Sequence, residues 1–393
     1  MKKYIKGKVL AVDISKLDFK LRDELNGYLE ELVRDGGSDL HVKSNSVIRK
    51  RVNGEMVPVS NSRFLSTPEG LTLAKELLRG RFDELVENKS ADFIHKLNED
   101  YRFRVNIFFQ MDGVSAVFRT IPVKLPALED LGLPSSVVKL CDTVHRGIVL
   151  VTGPTGSGKS TTLASMIDRI NKKRKAHIIT IEDPIEFIHK DINCLINQRS
   201  VGQDATSFAT ALKASLREDP DIILVGEIRD YETMNIALMA AETGHLVLST
   251  LHTRDSQETV NRVLGMFSGS ELERAKMALG SAIQGIISQR LCQKIDGGRV
   301  AAVEIMLQTP RIKQLILKGR QDEILTAITE AGANSGMQTF DSALLNLYKN
   351  NIITREEAMN SSTTPIDLAI LLQQASEEAF ESGMREIGLK DLD

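Results

Sequence analysis

The sequence predicts an α/β protein in which a small mixed α+β domain precedes a larger domain built on a parallel sheet. Helical and strand-like patterns are interleaved without a regular order over the first 122 residues. After residue 134, short apolar runs alternate with helical stretches, which is typical of a parallel sheet covered by helices on both faces. With 393 residues, the chain is long enough for two or three domains.

Composition and charge argue against several classes of protein. Lys and Arg number 50 and Asp and Glu number 53, so the net charge of −3 argues weakly against binding nucleic acid through overall charge. Cys141, Cys194 and Cys292 lie far apart without a CxxC pair, so we expect neither zinc nor a disulfide framework. No apolar run approaches the ~18 residues that span a bilayer, so we expect a cytoplasmic chain without a transmembrane segment.

An N-terminal domain is predicted over residues 1–122, with residues 1–20 as an extension. A weak alternation of apolar and polar residues predicts one short strand within residues 1–18. From Leu21 to Val33 the apolar residues recur at helical spacing. The pair Gly36-Gly37 ends this predicted helix, because glycine accepts the left-handed conformation found at helix ends.

The remainder of this domain combines a hairpin, two helices and further strands. Asn53-Gly54 lies between Val52 and Met56 and predicts a two-residue hairpin turn, since both turn positions favour positive φ. Helices are predicted at 67–79 and 81–88, and strands at 91–95, 101–109 and 114–121.

A proline-rich linker, residues 123–134, is predicted to separate the two domains, because proline resists both helices and central strands. The core of the larger domain is predicted over 135–307, and a helical, polar C-terminal region over 308–393. Strands of the core are predicted at 148–152, 178–181, 222–225 and 246–249, and helices from residue 159, at 207–217 and at 230–243.

The segment GPTGSGKST at residues 153–161 matches the phosphate-binding pattern GxxxxGK[ST]. It follows an apolar strand and precedes a helix, where glycines let backbone amides turn around phosphates and the helix dipole adds positive charge. In this pattern the lysine contacts the β- and γ-phosphates and the serine hydroxyl binds Mg²⁺. The predicted nucleotide contacts are Gly153, Pro154, Thr155, Gly156, Ser157, Gly158, Lys159, Ser160 and Thr161.

Carboxylates follow two further predicted strands. The strand at 222–225 ends in Gly226-Glu227, where glycine stands in place of the usual magnesium-associated aspartate. Glu227 could orient an attacking water or accept its proton. Three carboxylates within five residues follow the strand at 178–181, and they repel one another unless a cation is near. The candidates for a magnesium or water site are Ser160, Glu182 and Glu186, with Asp183 as a further candidate.

Two histidines flank the strand at 246–249. His252 lies past the end of the strand, where a neutral imidazole could sense the γ-phosphate, and His245 is a further candidate.

The segments GPTGSGKST, IEDPIEF, LREDPDIILVGEIRD and TGHLVLSTLHT, in this order and spacing, resemble the Walker A, Asp, Walker B and His boxes of the secretion ATPase superfamily. GGSDLHV, RFRVNIFFQ, FRTIP and GMQTFD extend the similarity over residues 24–360. Within this superfamily the chain is most similar to the PilT-like type IV pilus retraction ATPases. The absence of a CxxC pair favours this subgroup, because assembly ATPases usually carry a four-cysteine zinc insertion.

The resemblance implies a homo-hexameric ring that uses ATP and Mg²⁺ for pilus retraction and twitching motility, docked peripherally on an inner-membrane pilus platform protein. Each subunit would combine a PAS-like N-terminal domain with a RecA-like P-loop NTPase domain. Glu227 would correspond to the catalytic glutamate, Glu186 to the Asp-box acid and His252 to the phosphate sensor.

The resemblance also implies that Arg104 and Arg119, on strands of the N-terminal domain, reach the nucleotide, with Arg102 as a further candidate. Arg102 and Arg104 share one face of a predicted strand, and Phe103 and Val105 share the other. A cation supplied from another domain would make hydrolysis depend on domain closure, as a motor requires.

Four alternatives stay open at this stage. The chain could be an accessory, PilU-like retraction ATPase, because residues 310–319 match the retraction family's C-terminal motif only partly. It could instead be a pilus assembly or type II secretion ATPase, a weakly hydrolysing nucleotide-binding regulator, or a DNA translocase. The near-neutral charge weighs against the last, and no DNA partner is expected.

Overall fold

A computed structural model of the chain describes residues 13, 15, 17–52, 54–98, 100–121 and 125–386. The described residues form two compact units, one within 1–124 together with 186–188, the other within 125–185 and 189–393. Most of the strand predicted within 1–18, Asn53 of the predicted turn, residues 122–124 and the tail from 387 lie outside the described residues.

The first unit is built on an antiparallel sheet of six strands in the order β4-β3-β1-β8-β7-β6. Its elements are α1 (Lys20–Arg34), β1 (Asp39–Lys43), β2 (Ser46–Val47), β3 (Arg49–Val52), β4 (Glu55–Pro58), β5 (Phe64–Leu65), α2 (Thr67–Leu78), α3 (Phe82–Asn88), β6 (Ser90–Lys96), β7 (Arg102–Gln110) and β8 (Gly113–Thr120). The predicted helices and strands from residue 21 onward are confirmed to within a few residues.

The core of this unit lies between one face of the sheet and the helices α1 to α3. Leu29 of α1, Leu85 of α3 and the β7 side chains Phe103 and Val105 are fully buried in it. Arg104 on the opposite face of β7 is exposed, so the predicted division of this strand into an arginine face and an apolar face is confirmed.

The second unit contains a seven-stranded sheet in the order β11-β10-β12-β13-β9-β14-β15. Neighbouring strands are parallel except for β15, which runs antiparallel to β14. Its elements up to the last strand are α4 (Ser135–Thr143), β9 (Gly147–Thr152), α5 (Lys159–Lys173), β10 (His177–Glu182), β11 (Leu195–Ser200), α6 (Phe208–Ser215), β12 (Ile222–Val225), α7 (Tyr231–Glu242), β13 (Leu246–Leu251), α8 (Ser256–Leu264), α9 (Ser270–Ala282), β14 (Ile283–Gln293) and β15 (Arg299–Leu307).

The central strands are buried on both faces, as predicted. Every residue of β9, β12 and β13 is buried, because helices cover both sides of the sheet. The strands β11, β14 and β15 have no counterpart among the predicted elements. They add one parallel strand at one edge and a parallel–antiparallel pair at the other.

Residues 125–134 pack onto the second unit, although the sequence predicts a linker there. Leu128, in a short 3₁₀ helix (Leu128–Leu131), is 1% exposed and packs with Leu163 and Ile167 of α5. The hydroxyl of Ser165 donates a 2.8 Å hydrogen bond to the carbonyl of Pro126. The prolines therefore shape an ordered segment, and the second unit begins about ten residues before the predicted core.

The C-terminal region is helical, as predicted, and it extends the core of the second unit. Ile312 and Ile316 are buried against Leu279 of α9, and the backbone of Gln338 pairs with Ile305 at the outer edge of β15. The helices of this region are α10 (Pro310–Lys318), α11 (Ile324–Ala331), α12 (Phe340–Lys349), α13 (Arg355–Ser361) and α14 (Pro365–Glu386).

The three cysteines are buried free thiols. Burial raises the pKa of each thiol, that of Cys141 to about 12, so each stays protonated and weakly nucleophilic at neutral pH. Among the described residues, none of the helices is both long enough and apolar enough to cross a bilayer.

Glu304 is a buried carboxyl in the middle of β15. It is 3% exposed, and burial raises its pKa to about 7 although the amide of Ser256 donates a 2.8 Å hydrogen bond to it. The folded protein thus holds this proton at a pH where the unfolded chain releases it, so this group makes folding less favourable as pH rises.

We predict that Glu304→Gln removes this pH dependence. Between pH 4.5 and pH 7 the wild-type free energy of unfolding should fall relative to that of the variant, by on the order of 3 kcal/mol. Urea unfolding of both proteins across this range measures the difference. A constant difference from pH 4.5 to 8 would contradict a raised folded-state pKa.

Candidate nucleotide site

Four loops meet at the end of the second unit's sheet where its parallel strands have their carboxyl ends. The backbone pairs Thr152 with Leu251, Val225 with Ser249, and Val225 with Ile181 across neighbouring strands. The segments that follow β9, β10, β12 and β13 therefore leave the sheet on the same side. In open α/β sheets this carboxyl edge is where ligands bind.

The loop between β9 and α5 has a backbone that only glycine allows at key positions. Gly153, Gly156 and Gly158 have φ values of +141°, +80° and +92°. At Gly153 a Cβ atom would lie 2.4 Å from the carbonyl oxygen of Gln289 on β14, so this glycine also permits close packing of loop and sheet. The predicted glycine-dependent turn is confirmed.

Lys159, the first residue of α5, folds back over this loop. Its Nζ donates hydrogen bonds of 2.8 and 2.9 Å to the carbonyls of Gly153 and Pro154, and the residue is 8% exposed. Ser160, the next residue, is exposed. A buried ammonium and a helix N-terminus at one turn form an anion site, and the residues present therefore fit the phosphates of a nucleotide.

At this end of the sheet, Glu227 contacts the side chains of Arg229 and His252. The side chain of Glu227 is 15% exposed, and its Oε1 lies 2.6 Å from Nη2 of Arg229. Its Oε2 lies 3.5 Å from Nε2 of His252. The structure thus brings together two residues that the sequence places after different strands, and it adds Arg229, which sequence reasoning missed.

Gly226 fits its position because the neighbouring strand approaches closely. A Cβ atom there would lie 3.3 Å from the carbonyl oxygen of Ile181 and 3.4 Å from Cα of Glu182, which is tight for a side chain. Glu182 points toward its own sheet, where Oε1 accepts hydrogen bonds from Thr180 (2.7 Å) and Gln198 (3.2 Å). Hydroxyl and carboxylate oxygens are ligands that Mg²⁺ accepts, so Ser160 and Glu182 fit a magnesium site chemically.

The further sequence candidates on this part of the chain are His245, Asp183 and Glu186. His245 precedes β13 and therefore lies at the amino end of this strand, whereas the site lies at the carboxyl end. The six residues of β13 separate the two ends by roughly 20 Å. Nδ1 of His245 lies 3.0 Å from the carbonyl oxygen of Ala240. The structure therefore does not bring His245 to the site. Asp183 and Glu186 are exposed, and Glu186 groups with the first unit.

The candidate arginines lie on the sheet of the first unit. Arg104 and Arg119 are directly opposite each other on β7 and β8. Nε of Arg119 donates a 2.9 Å hydrogen bond to the buried carboxylate of Asp39, while Arg104 is exposed. Arg102 is half-buried, and among the described residues its Nε is a buried nitrogen without a hydrogen-bond partner.

A strand–loop–helix with this lysine, together with a carboxylate that follows a strand two positions away at the same end of the sheet, defines a P-loop nucleoside triphosphatase. The model of the family described as "Type II/IV secretion system protein" matches residues 17–298. The chain belongs to this family, and it is an ATPase.

Curated relatives include two pilus ATPases of Pseudomonas aeruginosa. The chain is 45% identical to the type IV pilus retraction ATPase PilT over 336 residues, which cover 84% of this chain and 96% of the relative. It is 39% identical to the type IV pilus ATPase PilU over 360 residues, covering 90% of this chain and 92% of that protein.

A solved structure is similar over nearly its whole length. The crystal structure of the pilus retraction motor PilT with bound ADP superimposes with a TM-score of 0.81 at 41% identity. The match covers 87% of this chain and 98% of that one. The predicted membership of the secretion ATPases and the predicted α/β fold are confirmed by these comparisons.

Gly153 and Gly156 provide a matched test of the loop geometry. Both have positive φ, but a Cβ meets a backbone oxygen only at Gly153. We predict that Gly153→Ala destabilises the nucleotide-free protein by about 1 to 3 kcal/mol more than Gly156→Ala does, since the loop must move away from β14. Thermal unfolding of the two variants measures this difference, and equal losses would contradict the close approach.

Proposed function

We propose that this chain is a motor ATPase that hydrolyses ATP to drive type IV pilus retraction, and hence twitching motility. The observation that carries the proposal is the contact of Glu227 with His252 at the sheet edge that also holds the P-loop. Similarity to PilT over 96% of that protein supports the retraction assignment. The protein would act as a homo-hexamer in the cytoplasm, docked on an inner-membrane platform protein of the pilus.

In this proposal the second unit binds the nucleotide and activates water. Bound ATP with Mg²⁺ supplies the phosphoryl group and a cation that offsets its charge. Residues 153–161 hold the phosphates through backbone amides, and Lys159 exchanges its carbonyl partners for phosphate oxygens. Ser160 and Glu182 would hold the cation, with Glu186 as an additional carboxylate.

Glu227 is the proposed general base. Arg229 and His252 keep the carboxylate oriented at the sheet edge, and a carboxylate held this way can accept the proton of a water aligned with the γ-phosphate. The exposed imidazole of His252 can donate its N–H to a phosphate oxygen in place of Glu227. These roles make hydrolysis sensitive to the separation of two loops that follow neighbouring strands.

The arginines of the first unit are the proposed trans-domain cations. Two guanidinium groups directly opposite each other on a sheet repel one another, and Asp39 accepts a hydrogen bond from only one of them, Arg119. A phosphate anion would relieve this repulsion, which supports Arg104 and Arg119 as nucleotide contacts. Arg102, on the same face of β7, extends this basic surface.

We predict that Glu227→Gln lowers the rate of ATP hydrolysis at least ~100-fold and leaves nucleotide binding intact, because the amide cannot accept the proton. Glu242→Gln, an exposed change at the opposite edge of the sheet, is the matched control and should leave the rate unchanged. Phosphate release and fluorescent-nucleotide titration measure the two quantities. Hydrolysis by Glu227→Gln at the wild-type rate would exclude the assigned role, and a monomeric mass with and without ATP would exclude the ring.

Deleting the gene separates retraction from assembly. A retraction motor pulls subunits out of the pilus, so its loss should leave excess, immobile surface pili and abolish twitching. Electron microscopy and a twitching assay measure both, and the gene for the Glu227→Gln variant should fail to restore motility. Loss of surface pili would instead support an assembly or secretion ATPase, and unaltered twitching would contradict a main retraction role.

A further inference from the structure

A row of buried polar side chains crosses three strands and begins next to the loop of residues 153–161. Thr152, the last residue of β9, donates a 2.8 Å hydrogen bond to the hydroxyl of Ser288 on β14, and both residues are fully buried. Ser288 pairs directly with Glu304 on β15, so the two side chains lie on the same face of the sheet. The row therefore leads from the residue before Gly153 to the buried carboxyl of Glu304.

Glu304 extends this row to the segment that carries His252. Its Oε1 accepts a 2.8 Å hydrogen bond from the backbone amide of Ser256, the first residue of α8, which lies four residues after His252. The rest of that helix start is also fixed, since Asp255 accepts from the amide of Glu258 and Thr253 bonds Thr259 at 2.6 Å. The buried carboxyl thus holds the end of the segment at whose start the exposed imidazole of His252 meets Glu227.

The energetic cost of this arrangement indicates a purpose beyond packing. A carboxyl that is 3% exposed and has a pKa raised to about 7 is costly to ionise, and a leucine of similar volume would avoid that cost. What Glu304 supplies and leucine lacks is an acceptor for one of the amides at a helix N-terminus, which has no partner within the helix.

We propose that Glu304 is a positioning residue for ATP hydrolysis: through the amide of Ser256 it holds the 252–255 segment so that His252 stays in contact with Glu227. This inference rests on the proposed function, because it takes Glu227 and His252 as the residues that act on the nucleotide. In this proposal Glu304 acts on His252 through the amide of Ser256 and the start of α8.

Two pairs of variants test the contact from both ends. Glu304→Leu removes the acceptor at similar volume, while Glu304→Gln keeps a carbonyl oxygen in place. Ser256→Pro removes the donor at the first helical position, where proline is well tolerated, and Asp255 before it is already extended. Ser256→Ala keeps the amide and is the control for the lost hydroxyl.

The expected result is a loss in kcat without a loss in nucleotide affinity. Glu304→Leu and Ser256→Pro should lower kcat at least about tenfold, because a small displacement of a catalytic group is costly. Glu304→Gln and Ser256→Ala should stay within about twofold of wild type, and the Kd for ATP should not change in any variant. If Glu304→Leu does not fold, the two Ser256 variants carry the test alone.

A double variant separates positioning from general stability. If Glu304 acts through His252, Glu304→Leu should lower kcat no further in a His252→Ala background. Full additivity, or a wild-type kcat in Glu304→Leu and Ser256→Pro, would overturn the positioning role while the proposed function stands. A wild-type kcat in Glu227→Gln would instead overturn the proposed function, because Glu227 would then not act on the nucleotide.

Discussion

The register of β12 against β13 is the constraint on which the site depends. The backbone ladder sets this register, and two buried hydroxyls reinforce it, since Ser249 and Thr250 donate 2.6 Å hydrogen bonds to the carbonyls of Val225 and Gly226. A shift by one residue would turn the side chains to the opposite face of the sheet. Because the register is fixed in this way, Glu227 and His252 meet although 25 positions separate them in the sequence.

The sheet fixes the positions of the loops at the site, while exposed side chains on these loops can still move. The strands β9, β12 and β13 are buried throughout, so they hold the bases of the loops in fixed positions. Beyond the strand ends some side chains are more exposed, as with His252, whose side chain is 48% exposed. A change at the phosphates can therefore move side chains without repacking the core.

Much of this architecture could be predicted from local patterns. Apolar spacing predicts α1 and the central strands. The glycine-rich loop with its lysine is also predictable, because a motif of nine consecutive residues specifies its glycine positions, its lysine and the start of the following helix. Helices such as α7, which begins after Asp230 and ends at Glu242, were predicted for the same reason. These features depend on residues that are close in the sequence.

The features that the sequence did not predict depend on distant partners. The middle of β14 is polar, with Ser288, Gln289 and Arg290, and such a sequence is typical of an exposed segment. In the structure each of these side chains has a partner from a distant part of the chain. Ser288 bonds Thr152, Gln289 bonds Ser157, and Arg290 lies over the ring of Phe340. The sequence also makes His245 a candidate, because a histidine lies next to each end of β13. Only the end that carries His252 lies on the same side of the sheet as the loop after β9. Residues 125–134 resembled a linker because prolines are visible in a sequence and the burial of Leu128 is not.

The pairing of Gln338 with Ile305 has a consequence for assembly. An edge strand with open backbone groups invites another chain to extend the sheet. Here the outward-facing groups of Ile305, together with the carbonyl of Val303, are already taken by Gln338 from the same chain. At these positions a neighbouring subunit would find no unpaired backbone groups with which to extend the sheet. Any contact there would be made by side chains, and such a contact separates and re-forms more readily than a shared sheet.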